Sequence, residues 1–291
     1  MKAECRRSAT SISGKEAAQM DPNDIFAATN LQQDIANATY GNDLTAAVRT
    51  GYRFFTGLAG KRDVNQARFY FGLGAQGSTA TSPWIQYLSF WDSALHGVAL
   101  PSGTFGALVS LANTGDPIAQ TLLGRVQELG WSGSGTNVSA AKAAYLAVGS
   151  EFALAQTLLG EMSLRAGDIN GAQLLFQQAS TKSDTRAMVN LALIYACKSR
   201  VLEAKQLLNA AVLQNNCRAM YRLGLLYRVG VGGAPPNLEL AVGLFGRAAK
   251  MGYPFAMALV GNGYAKRIVR RRVELASIRT RSKPPGRGRW L

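Results

Sequence analysis

The chain has 291 residues, 47% of them hydrophobic, so it can bury the core of two ordinary domains or of one elongated array. The apolar residues are rich in Ala and Leu, with 31 Gly and 9 Pro, which suits closely packed helices better than strands, and no apolar run approaches the roughly 20 residues of a membrane-spanning helix. The formal charge of +15 is uneven: residues 265–291 hold ten Lys and Arg against one acid, residues 1–120 hold nine of each, and residues 121–264 hold thirteen against seven.

In chain order, residues 1–20 have no sustained apolar period and read as a disordered N-terminal arm. Asp21 and Pro22 form an N-cap with proline at the first helical position, and Ile25, Ala28, Leu31 and Ile35 continue a capping helix over 21–41. Residues 42–77 then carry a helix, a turn and a second helix. Gly51 and Phe54 mark the first, Gly57 the turn, and Ala67, Tyr70, Phe71 and Gly77 the second. A degenerate pair follows over 82–115, its first helix dense in Trp84, Tyr87, Phe90 and Trp91.

From there a repeat is plain. AQTLLG ends at Gly124 and again at Gly160, AMVNLA at Ala192, AMYRLG at Gly224 and AMALVG at Gly261, and second-helix segments such as Ala172/Leu175/Phe176/Ala179 and Ala241/Leu244/Phe245/Ala248 lie between them. A near-constant period with variable loops is what stacked helical hairpins produce, because one hairpin alone leaves an apolar face uncovered. The expectation is an all-α array over 42–264 of about six helix pairs plus a half unit. A basic closing helix over 265–280, with Ile268, Val269, Val273 and Ala276 as its apolar face, and a disordered basic tail over 281–291 complete the chain.

The motif AxxxLGxxYxxGxG followed by AxxLFxxAAxxG, as it stands over residues 217–252, resembles the Sel1-like repeat, a relative of the tetratricopeptide repeat. The resemblance extends over about 43–264. It implies a right-handed α-solenoid of stacked antiparallel helix pairs and a non-enzymatic role as an adaptor or scaffold for a protein or peptide. In tetratricopeptide-type arrays the first helix of each pair lines the concave groove. Carried onto these units, that rule selects Arg125, Glu128, Glu161, Arg165, Arg186, Arg218, Tyr221 and Arg228 as groove residues. Arg186 and Arg218, 32 residues apart at equivalent positions, would form a ridge for carboxylates of an acidic segment or a peptide C-terminus. Read as ordinary surface arginines they would bind nothing.

Catalytic chemistry has little to stand on. The one histidine, His96, excludes a His-based metal cluster and reads as a packing or surface residue. Residues 57–62 look like the end of a P-loop, but Phe55 stands where the first glycine is required and Arg62 where Ser or Thr would hold magnesium, so the stretch reads as an inter-helix turn. No cofactor and no metal are expected. Cys197 and Cys217 read as small buried residues on different helices, with a disulfide between them left open. The stretch behind Lys2, Arg6 and Arg7 lacks an apolar signal core, which makes a cytoplasmic location the expectation, export without a cleavable signal remaining open. The alternative function rests on the basic end: Lys266, Arg267, Arg270, Arg271 and Arg272 as an anion-binding segment for nucleic acid or an anionic membrane, with the array as a positioning scaffold, or else as a solvated tail.

Overall fold

The computed structural model describes residues 29–75, 82–230 and 235–261. All secondary structure there is helical, in fourteen helices: α1 (Leu31–Tyr40), α2 (Leu44–Thr56), α3 (Val64–Gly74), α4 (Pro83–His96), α5 (Thr104–Asn113), α6 (Pro117–Leu129), α7 (Val138–Val148), α8 (Ala153–Arg165), α9 (Ile169–Thr181), α10 (Thr185–Cys197), α11 (Val201–Leu213), α12 (Cys217–Val229), α13 (Leu238–Lys250) and α14 (Pro254–Gly261). They form two compact units, one up to Asn216 and one from Cys217. In the first, α2/α3, α4/α5, α6/α7, α8/α9 and α10/α11 pack as hairpins, each against its neighbours, and α1 covers α2 and α3. In the second, α12 packs on α13 and α13 on α14.

Why the hairpins close is visible in one repeated contact. A Cβ added to Gly51, Gly124, Gly160 or Gly224 would stand 2.6 or 2.7 Å from the ring of Phe71, Tyr145, Phe176 or Phe245 respectively. Glycine on the first helix therefore lets the aromatic ring of the second helix lie on bare backbone, and those rings are buried. Two hairpins lack this glycine: α4 has none, and α10 supports the rule from the other side. In α10 the position is Ala192, and its counterpart on α11 is Leu208, a smaller side chain, both buried.

Turns and caps do the rest. Asp43, Asp63, Asp116, Asn137, Asp168, Asp184 and Asn237 each accept from backbone N–H groups in the first turn of the helix they precede. The stretch at 57–62 is an inter-helix turn: Gly57 closes α2 in the left-handed conformation, φ +85°, and the Arg62 guanidinium lies 5.3 Å from the Phe55 ring. Asn30 caps α1, and the cap expected at Asp21 lies outside the described residues. The cysteine expectation needs correction. Cys197 is exposed and Cys217 half-buried, because both sit at helix ends, clear of the contacts that fill the hairpin cores.

Candidate functional site

In the first unit the first helices α2, α4, α6, α8 and α10 converge on one open cleft of about 70 Å³. Tyr52 and Phe55 of α2 and Trp84 and Tyr87 of α4 form its aromatic side, Arg125 of α6 and Arg186 of α10 its charged side. Leu122, Leu154 and Leu158 complete the lining. Trp84 stacks on Phe71 at 5.1 Å with the rings almost parallel, and Tyr52 meets its edge at 5.5 Å, so the aromatic side is held from behind.

The charged side is a chain of partly buried ion pairs. Arg125 donates through Nη1 to Glu128 Oε2 at 2.8 Å, Tyr145 donates its hydroxyl to the same oxygen at 2.8 Å, and Arg165 pairs with Glu128 Oε1. Burial alone would raise the Glu128 carboxyl, but Arg125, then Tyr145 and Arg165, outweigh it and hold it below the usual glutamate range. On the next helices Arg186 grips Glu161 through Nε at 2.6 Å and Nη2 at 2.5 Å, while Asn190 donates to the same carboxylate at 3.1 Å. Burial opposes the charge of Arg186, yet Glu161 wins and holds the guanidinium above its usual value. Below it Asp184 is buried, accepting from Thr157 and from the N–H groups of Arg186 and Ala187, and burial raises its carboxyl despite those bonds.

Of the eight groove residues expected from sequence, the structure brings Arg125, Glu128 and Arg165 into one network, and Glu161 and Arg186 into another. The arginines are thus not bare charges: each already has an internal carboxylate. Arg218, Tyr221 and Arg228 lie on α12 in the second unit, all half-buried. Tyr221 there packs among Phe245, Tyr253 and Phe255, with ring centroids 5.4 to 6.2 Å apart, in an aromatic cluster that runs from buried Phe245 to exposed Phe255. Lys266, Arg267, Arg270, Arg271 and Arg272 lie outside the described residues.

Sequence reasoning missed the aromatic side. The signal was present as positions six and two before the hairpin glycine and one and four after it, a helical spacing of 4, 3 and 3. Around Gly51 those positions give Thr45, Arg49, Tyr52 and Phe55; around Gly124 they give Ile118, Leu122, Arg125 and Glu128. Tyr145 carried its own clue, being tyrosine where the other glycine contacts are phenylalanine, and its extra hydroxyl is what reaches Glu128.

Elsewhere in the first unit Asp34 is buried and accepts from Arg49 at 3.0 and 2.6 Å, from Arg53 at 2.7 Å and from Thr29, tying α1 to α2. Among the described residues no group of three or more His, Cys, Asp or Glu is placed to hold a metal ion, and no helix is long and apolar enough to cross a membrane. His96 is exposed, with its Nδ1 3.5 Å from Asp92 and its ring 4.7 Å from that of Trp91.

The family model of the Sel1 repeat matches residues 44–78 and 217–253, covering α2/α3 and α12/α13. Those two segments are Sel1 repeats. The chain's fold is similar to that of a crystallised Sel1 repeat protein from Oxalobacter formigenes, with 22% identity over 76% of this chain and 99% of the other and a TM-score of 0.51. Another match is c5321, a protective antigen present in uropathogenic Escherichia coli strains and displaying an SLR fold, at 20% identity over 82% and 68% of the two chains with a TM-score of 0.32. No curated protein matches. The described residues thus form an all-α array of Sel1-like hairpins, and the hairpins between the two matched segments keep the helix order and the glycine–aromatic contact at Gly124 and Gly160.

Proposed function

We propose that this protein is a non-enzymatic adaptor that holds a protein or peptide partner against the first-helix face of its first unit. One observation carries the reading: five successive hairpins contribute their first helices to a single cleft in which aromatic side chains face arginines. Aromatic and arginine side chains are the residues that dominate binding energy at protein interfaces, and here both are held by neighbours before any partner arrives. Arg125 and Arg186 are the charged side chains that line the cleft itself, which favours an acidic partner.

The test is site-specific photocrosslinking in cells. A benzophenone side chain at Thr56, on the rim of the cleft, is expected to trap a discrete partner; the same group at Leu174, exposed on α9, is expected to trap none. Trapping at Leu174 with none at Thr56 overturns the proposed face.

A further inference from the structure

Nearly all of the protein's net charge belongs to its second unit. From Cys217 on, fifteen Lys and Arg stand against two acids, whereas residues 1–216 hold seventeen against fifteen. The surplus is not confined to residues 265–291, because residues 217–261 have five Lys and Arg and one acid, Glu239. Three of those five lie on α12, as Arg218, Arg222 and Arg228, six and two residues before Gly224 and four after it. At the matching register the first unit mixes signs, with Arg186, Arg125, Glu128 and Glu161; on α12 every charge is positive.

Next to these arginines is a group of rings that the unit leaves partly in water. Tyr221, Tyr253 and Phe255 have centroids 5.4 to 6.2 Å apart, the tyrosines half-buried and Phe255 64% exposed. Arg222 places its guanidinium 6.0 Å from the Tyr221 ring. Burial raises the Tyr253 hydroxyl, and Arg218 and Arg222 are near enough to oppose that rise. A phenylalanine ring left in water forgoes its burial energy, and an occupant with a flat apolar face recovers it.

Charge and rings together narrow the occupant. An acidic peptide supplies anions without a flat face for each of them, and a duplex keeps its base faces stacked inside. A single strand offers both, a phosphate and an unstacked base at every nucleotide. The ten residues from Arg218 to Arg228 rise about 15 Å along α12, enough to meet more than one phosphate. We infer that the second unit binds single-stranded nucleic acid, a base stacking on the exposed Phe255 ring beside Tyr221 and Tyr253 while phosphates are drawn to the arginines of α12. Binding is non-covalent, and it does not depend on the cleft of the first unit.

Fluorescence anisotropy of the full chain with labelled oligothymidylate and oligouridylate of about twenty nucleotides tests this directly. Both strands are expected to bind, with affinity falling steeply as salt rises from about 50 to about 200 mM. Phe255→Ala is expected to weaken both about tenfold and to leave retention on heparin, an anion without bases, unchanged. Phe255→Trp is expected to keep at least the parent affinity. Arg222→Gln, with its urea midpoint checked, is expected to lower the slope of log affinity against log salt by about 0.7. Phe69→Ala, which removes an exposed ring of the first unit, is expected to change nothing. A preference for one strand assigns RNA or DNA and upholds the inference. Unchanged strand affinity in Phe255→Ala reduces the interaction to charge alone and overturns it, as does a duplex of the same length weakened equally by that substitution. Failure of both strands to bind, with phosphatidylcholine–phosphatidylserine vesicles bound through Phe255 instead, gives the surface to a membrane and overturns it too.

Discussion

Gly160 shows how much of this fold hangs on the absence of one methyl group. A Cβ there would stand 2.6 Å from the Phe176 ring, and that ring is fully buried between α8 and α9. Neither backbone nor ring can yield without opening the hairpin, so overpacking here is a core effect and not a local nuisance. Gly160→Ala is expected to destabilise the first unit by about 1–3 kcal/mol, read from its urea denaturation midpoint. The protein also contains its own remedy in the Ala192 and Leu208 pair. Phe176→Leu combined with Gly160→Ala is therefore expected to recover more than half of the loss, whereas Phe176→Leu alone is expected to cost about 1 kcal/mol through the void it leaves. An additive double variant would show that the ring is not what the glycine accommodates. The same logic explains why Tyr145 tolerates an extra hydroxyl at this contact: the hydroxyl leaves the hairpin core and donates to Glu128.

At the scale of helices, the start of α10 joins the fold to the cleft. Asp184 caps the helix through Arg186 and Ala187, takes a hydrogen bond from Thr157 on α8 at 2.7 Å, and so sets where Arg186 begins. Burial raises its carboxyl, which means that folding disfavours the charge and tolerates the neutral form. Stability from this group is accordingly not lost as pH falls toward its folded value. It follows that Asp184→Asn, whose amide oxygen can still cap while Thr157 reverses its hydroxyl, is expected to lie within about 1 kcal/mol of the parent. Asp184→Ala removes cap and inter-helix bond together and is expected to cost about 2 kcal/mol or more. A urea series on both variants decides; an Asn variant as damaged as the Ala variant would mean that the negative charge itself is required. Circular dichroism should show helical content unchanged in the Asn variant.

On the scale of the whole molecule, charge and fold are separately encoded. Of the net +15, residues 265–291 supply +9, and they lie beyond the described helices. If that segment binds polyanions, deleting residues 266–291 is expected to remove retention on a heparin column while leaving the helical content per residue intact; the full chain's retention is expected to fall steeply with salt, as counterion release requires. Unchanged retention after the deletion would assign polyanion binding to the helical body instead. The sequence by itself determined the helical class, the hairpin period and the residues on which second-helix rings lie, because apolar spacing and glycine position are local properties that each repeat states again. It also placed Arg125, Glu128, Glu161, Arg165 and Arg186 on first helices. What it did not determine was how those side chains are spent. Glu128 is reached from Arg125 three residues before it and from Arg165 thirty-seven after it, and Trp84 meets Tyr52, Phe71 and Tyr87 from three different helices. Pairings between hairpins depend on how successive hairpins rotate against one another, which no single repeat encodes, and so only the tertiary structure decided that the arginines carry internal carboxylates and that aromatic rings line the same cleft.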